Sequence, residues 1–216
     1  FYVPLLYDAN LLLFWMIRAG DAAARMLPVL VGGALVILPY FARDLLGRRG
    51  ALAASLLLAF SPSWIFFSRT ADGPILTAAA SALLLLGANR YVRGRGSQCL
   101  RLGAVALGLG LTAGPGIYTL LASALLFGLV WWWRGGPGEA AGKVRAWFAE
   151  VVERKDLLVF LGVFLFFGSG FLANLGGIGA SVELAGHWVR SLAPSSTSLP
   201  WWAYPRTLVG YEFLTV

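Results

Sequence analysis

Apolar residues along this chain gather into long runs separated by short arginine-bearing clusters. They do not alternate with polar positions at the period of an exposed helix or strand. A membrane-spanning helix needs about 20 mostly apolar residues, and the runs predict spans over 24–42, 51–68, 74–89, 102–113, 117–133 and 157–175. Arg43, Arg48 and Arg49 follow the first run, Arg69 and Asp72 follow the second, and Pro74 opens the third. Proline suits a first helical turn, where its missing N–H has no partner to lose. Leu102 to Trp133 is an uncharged stretch of 32 residues. As one straight helix it would measure about 48 Å, against a hydrocarbon core of about 30 Å. Gly114-Pro115-Gly116 divides it into two short spans joined by a tight hairpin.

Three segments are not expected to cross. Residues 4–17 contain Asp8 and Asn10 and are too short, which predicts an interfacial helix on the outer face. Residues 134–156 carry the densest charge and predict a loop with a surface helix over 139–153. Residues 176–206, rich in Gly, Ser, Pro and Trp, read as an outer-face loop. The expected fold is all-α: a polytopic helical membrane protein in a single transmembrane domain over 1–216, with about six transmembrane helices plus the interfacial one.

Composition agrees with that pattern. Hydrophobic residues make up 59% of the chain and charged residues 12%, where soluble proteins carry about a quarter charged. Disorder and a soluble globule are both excluded on that balance. The net charge of +7 would suggest nucleic acid in a soluble protein, but its distribution has another reading and no nucleic-acid partner is expected. Twelve of the 17 basic residues lie in 43–50, 90–101 and 134–156, and five lie elsewhere. Lys and Arg concentrate in cytoplasmic loops, so these three loops are placed in the cytoplasm. The 4–17 helix, the Arg69–Asp72 turn, the Gly-Pro-Gly hairpin and the tail then face outward. One cysteine, Cys99, and one histidine, His187, rule out an intramolecular disulfide and a multi-Cys/His metal site. No charged n-region of a signal peptide is recognisable, and both ends read as cut from a longer chain.

Candidate chemistry collects on the outer side. Arg25 opens the first span, and Arg69 with Asp72 sits between the second and third; with Asp8 and Asp21 they form a prospective cluster. Arginine beside aspartate suits a phosphate, or a divalent ion held next to one. The competing reading makes Arg69 and Asp72 a surface pair and lets Arg25 reach lipid headgroups. In the tail, His187, Trp188, Trp201, Trp202, Tyr204, Tyr211 and Glu212 form either an interfacial aromatic belt or a wall against sugar rings and acyl chains. Trp131, Trp132 and Trp133 read as belt.

Pro4-Leu5-Leu6-Tyr7 followed by Asp21-Ala22-Ala23-Ala24-Arg25-Met26-Leu27-Pro28 resembles GT-C glycosyltransferases of the protein-mannosyltransferase type. Ser61-Pro62, Phe67-Ser68-Arg69 and Asp72 look like that family's "SP…SR…D" turn. Asn174, Gly176-Gly177-Ile178, His187-Trp188, Pro200-Trp201-Trp202-Ala203-Tyr204 and Tyr211-Glu212 are similar to its prokaryotic "flippase activity-associated" branch. The resemblance implies a prokaryotic plasma-membrane transferase taking a sugar from a polyprenyl-phosphate carrier at the outer face. It further implies Asp72 as catalytic residue and ligand of a divalent cation, Mg or Mn. Arg25, Arg69, His187, Trp201, Trp202, Tyr204 and Glu212 would bind substrate. Related enzymes place a catalytic acid in the first outer loop, which would precede Phe1, so the chain is expected to be a fragment lacking the first span and that loop. Two alternatives are a non-catalytic accessory subunit of a larger membrane complex and a lipid-linked sugar transporter. The expected partners are the lipid-linked sugar and membrane lipids.

Overall fold

The computed structural model describes residues 3–93, 98–135, 156–172, 176–193, 202–203 and 206. Among them every regular element is an α-helix. In chain order these are α1 Pro4–Met16, α2 Asp21–Phe41, α3 Arg43–Phe60, α4 Pro62–Arg69, α5 Pro74–Val92, α6 Gln98–Ala113, α7 Gly116–Gly135, α8 Asp156–Gly168 and α9 Gly176–Ser191. The predicted surface helix over 139–153 lies outside the described residues.

Local chemistry sets most of the boundaries. Pro4, Pro62 and Pro74 each stand at the start of a helix, where proline's fixed φ favours helical entry. Ser61 caps α4 by accepting a hydrogen bond from the Trp64 N–H at 3.3 Å. The helix expected over 51–68 is thus bent, with α3 and α4 meeting at 60°. Pro62 has no N–H to donate into the preceding turn and its ring crowds that turn, so the helix stops and restarts.

The span expected over 157–175 also ends early, at Gly168. Gly170 adopts φ +60°, and the Phe171 N–H donates to the Phe166 carbonyl at 2.9 Å. That six-to-one closure is the Schellman arrangement, and its usual apolar contact is present, with the Phe166 and Phe171 rings 5.0 Å apart. The loop expected over 176–206 holds a third difference, because 176–191 is helical. Its glycine-rich opening masks a helical face on which Ser181, Leu184 and Trp188 recur three and four residues apart and are buried or half-buried. The 43–50 segment, expected as a loop, is mostly helical too.

Contacts between elements sort the chain into two ends. At one end the α2 and α5 C-termini meet: Arg90 Nη2 donates to the Phe41 carbonyl at 2.6 Å, and Arg93 Nη1 to the Asp44 carbonyl at 3.3 Å. The starts of α6 and α8 join there through the Arg101–Asp156 ion pair at 3.5 Å. At the other end, a side chain on Gly73 would run into the Ala113 carbonyl and the Val3 methyls. The beginning of α1, the turn before α5 and the end of α6 therefore touch. An apolar core of Val3, Leu6, Leu35, Ile75, Leu76 and Ala113 packs directly behind this second end.

The outer surface is apolar over long stretches. Leu30, Ile37, Leu52, Leu56, Leu125, Phe127 and Val130 are exposed on α2, α3 and α7. One helix, Asp21–Phe41, is long and apolar enough by itself to cross a membrane, and the bent pair α3–α4 passes the same test when taken together.

Candidate functional site

The Val3–Gly73–Ala113 end holds most of the candidate residues that the structure describes. Arg69 closes the last turn of α4, and Asp72 follows in the short connection to α5; both are exposed. Asp72 Oδ1 accepts a hydrogen bond from the Gly73 N–H at 2.7 Å. That bond fixes the carboxylate beside the start of α5 and ties up one of its oxygens.

Arg25 belongs to the same end by helix geometry. Arg25, Pro28 and Gly32 fall on one stripe of α2, since residues three, four and seven apart share a face. Gly32 packs against α4 so closely that a Cβ there would lie 2.5 Å from the Ser68 Cβ. Ser68 immediately precedes Arg69, and Arg25 lies two turns further toward the α2 N-terminus, about 10 Å along the axis. Asp21, at the α2 start, is exposed as well.

The end also receives α9. Tyr118 OH, one turn after the Gly114-Pro115-Gly116 hairpin, donates to the Ser181 carbonyl at 3.1 Å. Trp188 Nε1 donates to Thr119 Oγ1 at 2.9 Å, and the Tyr118 and Trp188 rings lie 6.2 Å apart. These contacts lay α9 against the start of α7 and leave the adjacent His187 exposed. Trp188 is thus a docking residue for α9. Trp202 is exposed, while Trp201, Tyr204 and Glu212 lie outside the described residues, as does Tyr211.

Asp8 departs from the expectation of an accessible outer cluster. It is 1% exposed, and neither carboxylate oxygen has a hydrogen-bond partner among the described residues. It sits one turn beyond the buried Pro4, on a helix that packs against α2, α6, α8 and α9. Burial pushes its carboxyl up to about 6, because a charge without water or a counter-ion is costly. The sequence marks Asp8 as a polar residue in an apolar helix; its burial comes from the packing of helices distant in the chain.

The arrangement offers cations and one fixed carboxylate on an open surface. Exposed guanidinium groups such as Arg25 and Arg69 suit a phosphate. Among the described residues no group of three or more His, Cys, Asp or Glu side chains gathers, so no all-protein metal cage is built from them. A single carboxylate such as Asp72 fits the other common mode, in which Mg²⁺ takes one or two carboxylates and completes its shell with substrate phosphate oxygens and water. Comparison with protein-family models, with curated proteins and with solved structures finds no match to this chain.

Proposed function

We propose that this chain is the membrane-embedded part of a prokaryotic glycosyltransferase of the GT-C kind, moving a sugar from a polyprenyl-phosphate donor to an acceptor at the outer membrane face. The observation that carries the reading is the meeting at one end of the bundle of the Arg69–Asp72 turn, the Arg25 stripe of α2 and the docked α9 with His187. The short motifs that resemble the family fall on those same elements.

A membrane location is supported by the length of α2, 21 residues, or about 31 Å against a core of about 30 Å. The exposed apolar faces of α2, α3 and α7 also favour it, since patches on that scale need a lipid or protein cover. Arg101, Arg90, Arg93, Arg43 and Arg48 cluster at the end away from Asp72, and a basic end belongs in the cytoplasm. The Asp72 end would then face outward.

In this reading Arg25 and Arg69 hold the donor phosphate and offset the negative charge that develops as the sugar leaves. Asp72 orients at the reacting end and helps to hold a divalent cation, which when bound supplies charge neutralisation at the phosphate. His187 and Trp202 contact the acceptor and sugar, and Trp201, Tyr204 and Glu212 are substrate-binding candidates by the family resemblance alone. The test is transfer by the full-length protein, reconstituted in vesicles with a polyprenyl-phosphate hexose. Transfer to an acceptor that is lost when Arg25 and Arg69 are replaced by glutamine supports the reading. Donor that stays intact with the parent protein overturns it in favour of an accessory subunit.

A further inference from the structure

At the end opposite Asp72, a cleft of about 610 Å³ opens between the close of α2 and the start of α3. Tyr40, Arg43, Asp44, Arg48, Leu52 and Ser55 line it. We propose that this cleft binds the phosphodiester headgroup of an anionic phospholipid of the cytoplasmic leaflet. The site presupposes the membrane reading above, but not the transfer chemistry.

Four features of the cleft favour that occupant. The Arg43 guanidinium lies 4.7 Å from the centroid of the Tyr40 ring, which holds the cation in place without neutralising it. Arg48 follows Gly47, whose φ of +70° breaks the helix at that point and turns the chain beside the cleft. Arg43 and Arg48 both line the cleft itself. Asp44 is the one acid on the rim.

Arg90 takes the Phe41 carbonyl, which blunts the negative end of α2, and Arg93 takes the Asp44 carbonyl in the first turn of α3. Those two guanidinium groups also add positive charge at the same level of the bundle.

Shape and depth match a lipid rather than a dissolved anion. Leu52 lines the cleft, and the exposed Leu56 follows one turn on along the same face of α3, a track for an acyl chain. The cleft stands at the C-terminal end of the helix long enough to span the hydrocarbon core. Its rim therefore lies at headgroup level, where anionic lipids draw basic side chains.

The test titrates the full-length protein in a neutral detergent with short-chain phosphatidylglycerol, and follows the unfolding temperature. A ligand of the folded state raises that temperature in a saturable way. The expected result is a salt-sensitive rise with phosphatidylglycerol that phosphatidylcholine does not reproduce. Arg43→Gln and Arg48→Gln should each weaken the apparent affinity by about tenfold, and Arg18→Gln should leave it unchanged. An equal rise with phosphatidylcholine, the same saturation with inorganic phosphate, or parent-like affinity in both cleft variants overturns the site. Alkaline carbonate washing of native membranes reads the membrane premise separately. Protein retained in the pellet without headgroup preference refutes the site alone, and protein released into the wash refutes the premise with it.

Discussion

Asp8 and Asp72 are carboxylates at opposite extremes of solvation within one short stretch of fold. Asp72 is exposed and held by one backbone N–H, so its carboxylate is open to solvent and ligands. Asp8 is sealed in the packing of α1 with no partner among the described residues, and its carboxyl is pushed up to about 6 from an ordinary 3.8. The folded protein therefore holds a proton that the unfolded chain releases. Stability from this group is full below about pH 4 and is lost as pH rises through about 6. Asp8→Asn should flatten the decline between about pH 4 and 6 and make the variant more stable than the parent at pH 8. Chemical unfolding at several pH values checks this, and an unchanged slope in the variant would show that Asp8 is not the titrating group.

At the scale of elements, the proposed transfer site rests on how closely α4 approaches α2. Gly32 lets Ser68 pack directly on the helix, and that contact fixes the spacing between Arg25 and the Arg69–Asp72 turn. Gly32→Val adds a branched side chain where even a Cβ has no room. Overpacking of this kind costs about 1–3 kcal/mol, and here the relief is an outward shift of α4. A lower unfolding temperature together with a weaker apparent affinity for the lipid-linked donor is expected. Gly33→Val, one residue on and facing open space, should leave donor affinity intact.

Helix existence is legible in the sequence because long apolar runs leave little alternative, and α1, α2, α5 and α7 follow the expected ranges within a few residues. Breaks inside those runs are harder to read. The Ser61-Pro62 pair carries a cap and a stop signal, yet it sits in a run hydrophobic enough to pass for one span. Gly170 ends α8 by a left-handed turn whose energetics depend on the Phe166–Phe171 contact. The α9 helix is obscured by glycine at its start and by its reliance on Tyr118 and Thr119 for docking. In the site, Arg25, Arg69 and Asp72 are legible as scarce charges beside apolar runs. The burial of Asp8 and the docking role of Trp188 arise from partners far along the chain, which no local pattern records.

The molecule as a whole is polarised. Arg90, Arg93 and Arg101 gather with the α2–α3 cleft at one end, and the Asp72 turn lies with α1 and α9 at the other. If the chain spans a membrane in the orientation proposed, the two ends meet different solutions. On a Cys99→Ser background, an impermeant maleimide should label Ala71→Cys in intact cells and Arg49→Cys only after permeabilisation. The reverse pattern would invert the assigned orientation. The central claim is that the Asp72 end carries out glycosyl transfer, and the transfer rate of Asp72→Asn at saturating donor tests it most directly. Asp72 is exposed and its one hydrogen bond is local, so the variant should fold like the parent while its transfer rate falls on the order of 100-fold or more. A folded Asp72→Asn protein that transfers sugar at the parent's rate would contradict the account.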